Sequence, residues 1–179
     1  LAGYKVDLVP ANSWIIFEFN VATERGQKLF SDPNVRKAIF HAIDREAIVD
    51  GLMEGTVQIA NSAISPTSPY HNPDVPVYAY DPAQAAQMLD EAGWAPGADG
   101  IREKDGERLS FTITNRNSRP ERTAIAQAIQ AMLKEVGVEV KFEDLENAAW
   151  LEKWLSTDWE AIVGGWIIPA DPSLTALYA

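Results

Sequence analysis

Between residues 108 and 143 the chain switches its apolar spacing from two to helical and back to two, a sequence of periods that few architectures accommodate. Leu109, Phe111 and Ile113 recur at every second position, as a strand with one buried face requires. Ala124, Ile125, Ala128, Ile129, Met132, Leu133 and Val136 then form one helical stripe that stops at Gly137, and Val138, Val140 and Phe142 alternate again. Strand 108–114, helix 119–136 and strand 138–143 are therefore expected to form a parallel β-α-β unit, which indicates an α/β sheet. Ser118-Arg119-Pro120-Glu121 reads as a capping box at the start of the helix.

The flanking segments fit the same scheme. Tyr4–Val9 and Ser13–Asn20 are rich in β-branched and aromatic residues and are separated by Pro10-Ala11-Asn12, which predicts two strands, with Trp14, Ile16 and Glu18 on one face of the second. From about Asp32 to Met53 two abutting helices are expected, each with its own start: Asp32 before Pro33, and Asp44 before Arg45-Glu46. Gly55 to Tyr80 is a Pro-rich loop expected to wrap the surface. Asp81-Pro82-Ala83-Gln84 caps a helix over 82–92, and Ile101–Thr114 reads as a hairpin turning at Asp105-Gly106. Trp150, Leu151, Trp154 and Leu155 share one face of a later helix, and Ala161-Ile162-Val163 is a strand leading into Gly164-Gly165-Trp166.

Composition removes several classes of function. Twenty-six acidic residues against fifteen basic ones give a net charge of −11, which repels phosphate backbones, and no Lys/Arg cluster marks a nucleic acid footprint. Zero cysteines exclude disulfides, thiolate catalysis and cysteine-ligated metals. No apolar run approaches the ~20 residues that a membrane-spanning helix needs. Beginning at Leu1 and stopping inside what reads as a new helix, the chain looks like one domain excised from a longer protein.

Enzyme signatures are missing: the chain has no G-x-S-x-G, H-E-x-x-H, G-x-G-x-x-G or P-loop motif. His41 falls near an apolar helical stripe and reads as a packed or capping residue, and His71 as a solvent-exposed loop residue; no metal site and no cofactor are expected. Binding has better support, because ligands of open α/β sheets sit beyond the carboxyl ends of the strands. Two such ends are candidates. In Asn115-Arg116-Asn117-Ser118, side-chain amides and free helix N–H groups can hold a polar or anionic ligand, with turn and cap chemistry as the plain alternative. In Gly164–Pro172 the glycines would let a ligand reach the backbone and Trp166 offers a flat apolar surface, while Asp171-Pro172 also reads as a helix cap.

The order of motifs resembles one family. A strand ending Phe19-Asn20, then V-R-x-A-I-x-x-A-I-D-R-E from Val35, Y-D-P-x-x-A-x-x-L-x-E-A-G-W over Tyr80–Trp94, the Asp-Gly hairpin, A-Q-A-I-Q with K-E-V-G-V-E-V, and a strand ending in G-W are similar to the extracytoplasmic solute-binding proteins, family 5, of peptide and nickel ABC importers. The resemblance spans roughly residues 4–172. It implies a type II periplasmic-binding-protein lobe with a mixed sheet and flanking helices, most of the second lobe of a two-lobed receptor whose first lobe is absent from the chain. It further implies periplasmic or extracytoplasmic localisation, delivery of a peptide, opine or related small solute to ABC permease membrane subunits, and no catalysis. Peptide receptors of the family follow G-W with x-x-D to hold the peptide amine. Here Ile168 and Pro169 stand in that interval and the step to Asp171 is shorter, which disfavours a free-amine peptide and leaves opines, sugars, modified peptides and metal chelates open. The ligand contacts expected are Asn115, Arg116, Asn117, Trp166, Ile168, Pro169 and Asp171. A catalytic α/β domain and a sensor or adaptor lobe are the alternatives.

Overall fold

A computed structural model describes residues 7, 13–66 and 68–167. The strand expected over Tyr4–Val9 and the candidates Ile168, Pro169 and Asp171 lie outside the described residues, Asp7 excepted.

The chain runs from β1 (Ser13–Phe19) into three short helices, α1 (Glu24–Phe30), α2 (Pro33–His41) and α3 (Arg45–Leu52). Each begins on a side chain that satisfies an otherwise unpaired amide: Thr23 Oγ1 accepts from Gly26, Asp32 Oδ1 from Asn34, and Asp44 Oδ1 from Ala47. Both starts expected at Asp32 and Asp44 are present. Helix α1 is not anticipated by periodicity, because its seven residues bury only Gly26, Leu29 and Phe30. Arg36 ties it to α2 by donating to the carbonyls of Phe30 and Ser31.

The loop from 55 to 81 holds no helix or strand among its described residues, and its last part wraps the helices as expected. Tyr78 stacks on Phe40 with centroids 6.0 Å apart, Arg45 Nη2 donates to Tyr78 O at 2.8 Å, and the Asp81 N–H donates to His41 O at 2.8 Å. His41 Nδ1 meets Ala79 O at 2.7 Å, a packed histidine at a helix end. His71 is half-buried instead of free in solvent, held at 2.9 Å from Ile64 O.

After α4 (Pro82–Glu91) a small three-stranded sheet forms from β2 (Ala95–Pro96), β3 (Arg102–Lys104) and β4 (Glu107–Arg108). Asp105 and Gly106 take φ of 53° and 78°, the pair of positive angles the tight turn demands. The hairpin's second strand does not run through to residue 114, however. The chain leaves the small sheet at Leu109 and enters the large one as β5 (Ser110–Arg116), so one apolar stretch serves two sheets.

Helix α5 (Pro120–Glu135), β6 (Glu139–Leu145), α6 (Asn147–Leu155) and β7 (Ala161–Ile167) complete the described chain. The large sheet has the order β1-β7-β5-β6, with β5, β6 and β7 parallel and β1 antiparallel to β7, a mixed sheet as expected. The crossover from β5 to β6 runs one way along the sheet, and that from β6 to β7 steps back across β5. Right-handed crossovers in opposite directions place their helices on opposite faces, so α5 covers one side and α6 the other. Phe17, Phe19, Phe111, Ile113, Ala161 and Val163 face α5 and join Phe30, Ile39, Ile125 and Ile129 in the core. Asn20 closes the sheet: buried at the end of β1, its Nδ2 donates to the carbonyls of Thr157 at 2.8 Å and Trp159 at 2.9 Å, in the turn before β7.

Candidate functional site

The carboxyl ends of β5, β6 and β7 form one edge of the sheet, and the side chains of that edge alternate between the two helix-covered faces. On the α6 face, Trp14 stands opposite Trp166, Ile16 opposite Gly164, and Glu18 opposite Ile162. That is the face expected for Trp14, Ile16 and Glu18. Trp166 Nε1 donates to Glu18 Oε1 at 3.3 Å. Trp154 lies 5.7 Å from Trp166, Trp150 stacks on Trp154 at 6.0 Å with ring planes 5° apart, and the Arg116 guanidinium sits 5.4 Å over Trp150. Three tryptophans and an arginine thus form a continuous array, with contact energies of the cation–π kind at its outer end.

Helix α6 shows why only part of its apolar stripe is used. Trp150 and Trp154 are one turn apart and meet the sheet, whereas Leu151 and Leu155, rotated by one residue, remain 44% and 65% exposed. The face the four residues share is thus only half covered, with both tryptophans half-buried.

Gly164 and Gly165 lie inside β7, not in a loop after it, and their role differs from the one the sequence suggests. A Cβ at 164 would meet Ile16 and Ile162 at ordinary contact distance, and one at 165 would collide with the Arg122 guanidinium and stand 3.1 Å from Trp14 O. The space above Gly165 is filled by an arginine of the protein's own. Gly165 admits Arg122, so the backbone there is covered by the protein's own side chain, whereas Gly164 has room for a Cβ.

The β5 end is also reordered. Asn115 has no exposed surface; its Nδ2 donates to Thr123 Oγ1 at 2.9 Å and to Asp144 Oδ1 at 3.2 Å, which joins β5, α5 and β6. Its Nδ2 therefore braces the edge, while its buried Oδ1 has no hydrogen-bond partner. Arg116 Nη1 donates to Asn147 Oδ1 at 2.8 Å, and exposed Asn117 donates to Glu146 Oε1 at 2.9 Å. Ser118 does not cap α5. Pro120 keeps Arg119 out of helical conformation, so the helix starts at Pro120 with Arg119 at its N-cap and no side-chain cap. Free helix N–H groups are few as well, since Pro120 has none and the amides of Arg122 and Thr123 both turn to Arg119 O.

Electrostatics separates the two faces. Burial raises the Glu18 pKa above the ordinary carboxylate range, opposed by the Trp166 hydrogen bond. On the α5 side, burial, reinforced by the charges of Arg116 and Arg119, lowers the Arg122 pKa. A separate polar cleft of about 220 Å³ lies between α1, β5 and α6, where Arg25 pairs with Glu160 at 2.6 Å and Lys153 with Glu143 at 2.5 Å. Among the described residues, no group of three or more His, Cys, Asp or Glu side chains can hold a metal ion, and no helix is long and apolar enough to cross a membrane.

The mixed sheet with its flanking helices is the fold of the type II periplasmic binding proteins. The chain belongs to the bacterial extracellular solute-binding proteins, family 5, whose middle-region model matches residues 2–179. It is 37% identical over 168 residues to the oligopeptide-binding protein AppA of Bacillus subtilis, covering 90% of this chain and 30% of that protein. It is 32% identical over 116 residues to the nickel-binding periplasmic protein of Escherichia coli, covering 64% and 22%. Among solved structures it resembles AppA from Bacillus subtilis in complex with a nonapeptide (TM-score 0.84, 36% identity, 94% of this chain and 33% of that one). NikA from Brucella suis in complex with Fe(III)-EDTA is similar too (TM-score 0.80, 32% identity, 89% and 32%). The chain therefore spans about a third or less of the length of these relatives.

Proposed function

We propose that this chain is one ligand-binding lobe of an extracytoplasmic receptor that captures a small solute for an ABC importer, holding it at the carboxyl edge against a lobe outside this chain. The reading rests on one observation: in a chain of this family, Trp166, Trp154, Trp150 and Arg116 form a continuous array at the edge where open α/β sheets take ligands. Apolar rings bury the body of a solute while Arg116 and Asn117 select its polar groups; Ile168, Pro169 and Asp171, which follow Trp166, belong to the same proposed contact set. The nonapeptide of AppA and the metal chelate of NikA mark the range of solutes the family framework takes. The family's members are solute-binding receptors, which supports a lobe that performs no bond-making step and whose task is closure over the solute.

The test is mass spectrometry of solute released on denaturing the whole parent receptor after native purification, with Trp166→Ala alongside. A retained solute that the variant loses is the expected result. Chemical conversion of a bound compound, abolished by one carboxylate substitution, would instead establish the catalytic alternative.

A further inference from the structure

Three half-buried glutamates of this lobe are held by cations: Glu107 and Glu160 pair with Arg25, and Glu143 with Lys153. Glu18 differs. Half-buried on β1, it forms no ion pair with a lysine, arginine or histidine among the described residues, and its partner is the indole N–H of Trp166 at 3.3 Å. Burial without a cation penalises the carboxylate, which is why its pKa is raised. A local cost of this kind marks a residue whose place is set by something other than stability.

Burial alone does not give an indole a partner in this chain. The Nε1 atoms of Trp14 and Trp159 are buried and have none. The Trp166 indole is held, and from some way along the sheet: Trp166 stands opposite Trp14 and Glu18 opposite Ile162, so the bond spans four positions of β1. A ring with two side-chain torsions, tied at its far edge, keeps one direction over the strands. That direction matters to α6. No residue of α6 is buried, and its Trp154 lies 5.7 Å from Trp166 with Trp150 stacked behind it, so the aromatic array rests on the Trp166 ring.

We infer that Glu18 is a positioning residue of the proposed solute site: it fixes the Trp166 ring on which Trp154 and Trp150 are aligned, and acts through that ring without touching the solute. The inference rests on the proposed solute-capture function. An acceptor at this reach is what the ring requires; negative charge is not.

Three variants of the whole parent receptor separate these terms. Glu18→Gln keeps an acceptor and loses the charge, Glu18→Asp keeps the charge and shortens the reach by one methylene, and Glu18→Leu removes both. Each is labelled with 5-fluorotryptophan, its 19F resonances are assigned by single Trp→Phe changes, and the co-purified compound it retains is measured by native mass spectrometry. In Glu18→Leu and Glu18→Asp the resonances of Trp166, Trp154 and Trp150 are expected to move, that of buried Trp94 to stay, and retention to fall about fivefold, as loss of one hydrogen bond predicts. Glu18→Gln is expected to match the parent receptor in all three resonances and to retain the compound within about twofold. In a Trp166→Phe background, which has no N–H to hold, Glu18→Leu should change retention by less than about twofold. Because the aspartate variant carries the same expectation as the leucine variant, the outcome does not depend on how Glu18→Leu folds. Unmoved resonances in both of those variants overturn the inference. So does a glutamine variant that loses the compound as they do, or an equal loss in the Trp166→Phe background, since the carboxylate would then act on the solute itself. A parent receptor that carries no compound counts against solute capture alone, and the resonances then decide the role of Glu18.

Discussion

At Gly165 the absence of a side chain is used by another residue. Replacing it with alanine drives a methyl into the Arg122 guanidinium and against Trp14 O, and overpacking of this kind costs about 1–3 kcal/mol. Urea denaturation should show that loss for Gly165→Ala and a smaller one when the same change is made in an Arg122→Ala background, because the two groups contend for one space. Glu18 gives a prediction with a sign. Its folded pKa is raised, so the stability it contributes is fully present below its unfolded pKa and is lost as pH rises through the folded value. Glu18→Gln should therefore raise the urea midpoint near pH 7, with an advantage that fades near pH 3, below the ordinary carboxylate range. The sequence makes Trp166 and Arg116 visible as candidates, since a tryptophan and a basic residue at strand ends stand out. It hides Arg122, because that arginine falls on the polar positions of an ordinary amphipathic helix and acquires meaning only when β7 is laid beside it. The bracing role of Asn115 is hidden for the converse reason: a polar residue at a strand end looks available until its neighbouring elements close around it.

At the scale of single elements, start signals are legible where the side chain does the capping. Asp32 and Asp44 each accept an amide at 2.8–2.9 Å, and Asp81 accepts from Gln84 at 2.8 Å. Asp44→Ala is expected to cost about 1 kcal/mol through the start of α3, whereas Ser118→Ala, which removes no cap, should stay within about 0.5 kcal/mol. Thermal unfolding of the two variants side by side measures the difference. A strand over 108–114 and the crossover through α5 follow from periodicity, but β5 runs on through Asn115 and Arg116, which read as loop because their polar side chains break the apolar alternation. The break at Leu109 does not follow, since a change of sheet leaves the alternation of apolar residues undisturbed. Helix α1 escapes notice because seven residues are too few to show a period.

Across the whole molecule, distant parts of the chain hold the elements in place. Tyr78 lies flat on Phe40 and edge-on to His41, fastening the end of the long loop to α2. Tyr78→Ala should leave the sheet intact but raise the rate at which a protease cuts within 55–80, measured by the time course of limited digestion at low enzyme concentration. The mixed sheet and its flanking helices are legible from sequence because secondary periods and the right-handed crossover rule leave few alternatives. What is not legible is which residues face each other at the edge, since that depends on the register between β1 and β7, set by elements far apart in the chain.

The Asn20 latch has a consequence for how the chain comes to be folded. Its side chain binds carbonyls 137 and 139 residues further along, and among the described residues β1 pairs with β7 alone, so that pairing waits until nearly all of the described chain exists. Long-range pairing of this kind slows folding, and a nascent or truncated chain ending before residue 161 carries a strand of Trp14, Ile15, Ile16, Phe17 and Phe19 without its β7 partner. Such a chain offers its first strand to any neighbour, which makes the last strand its safeguard against aggregation.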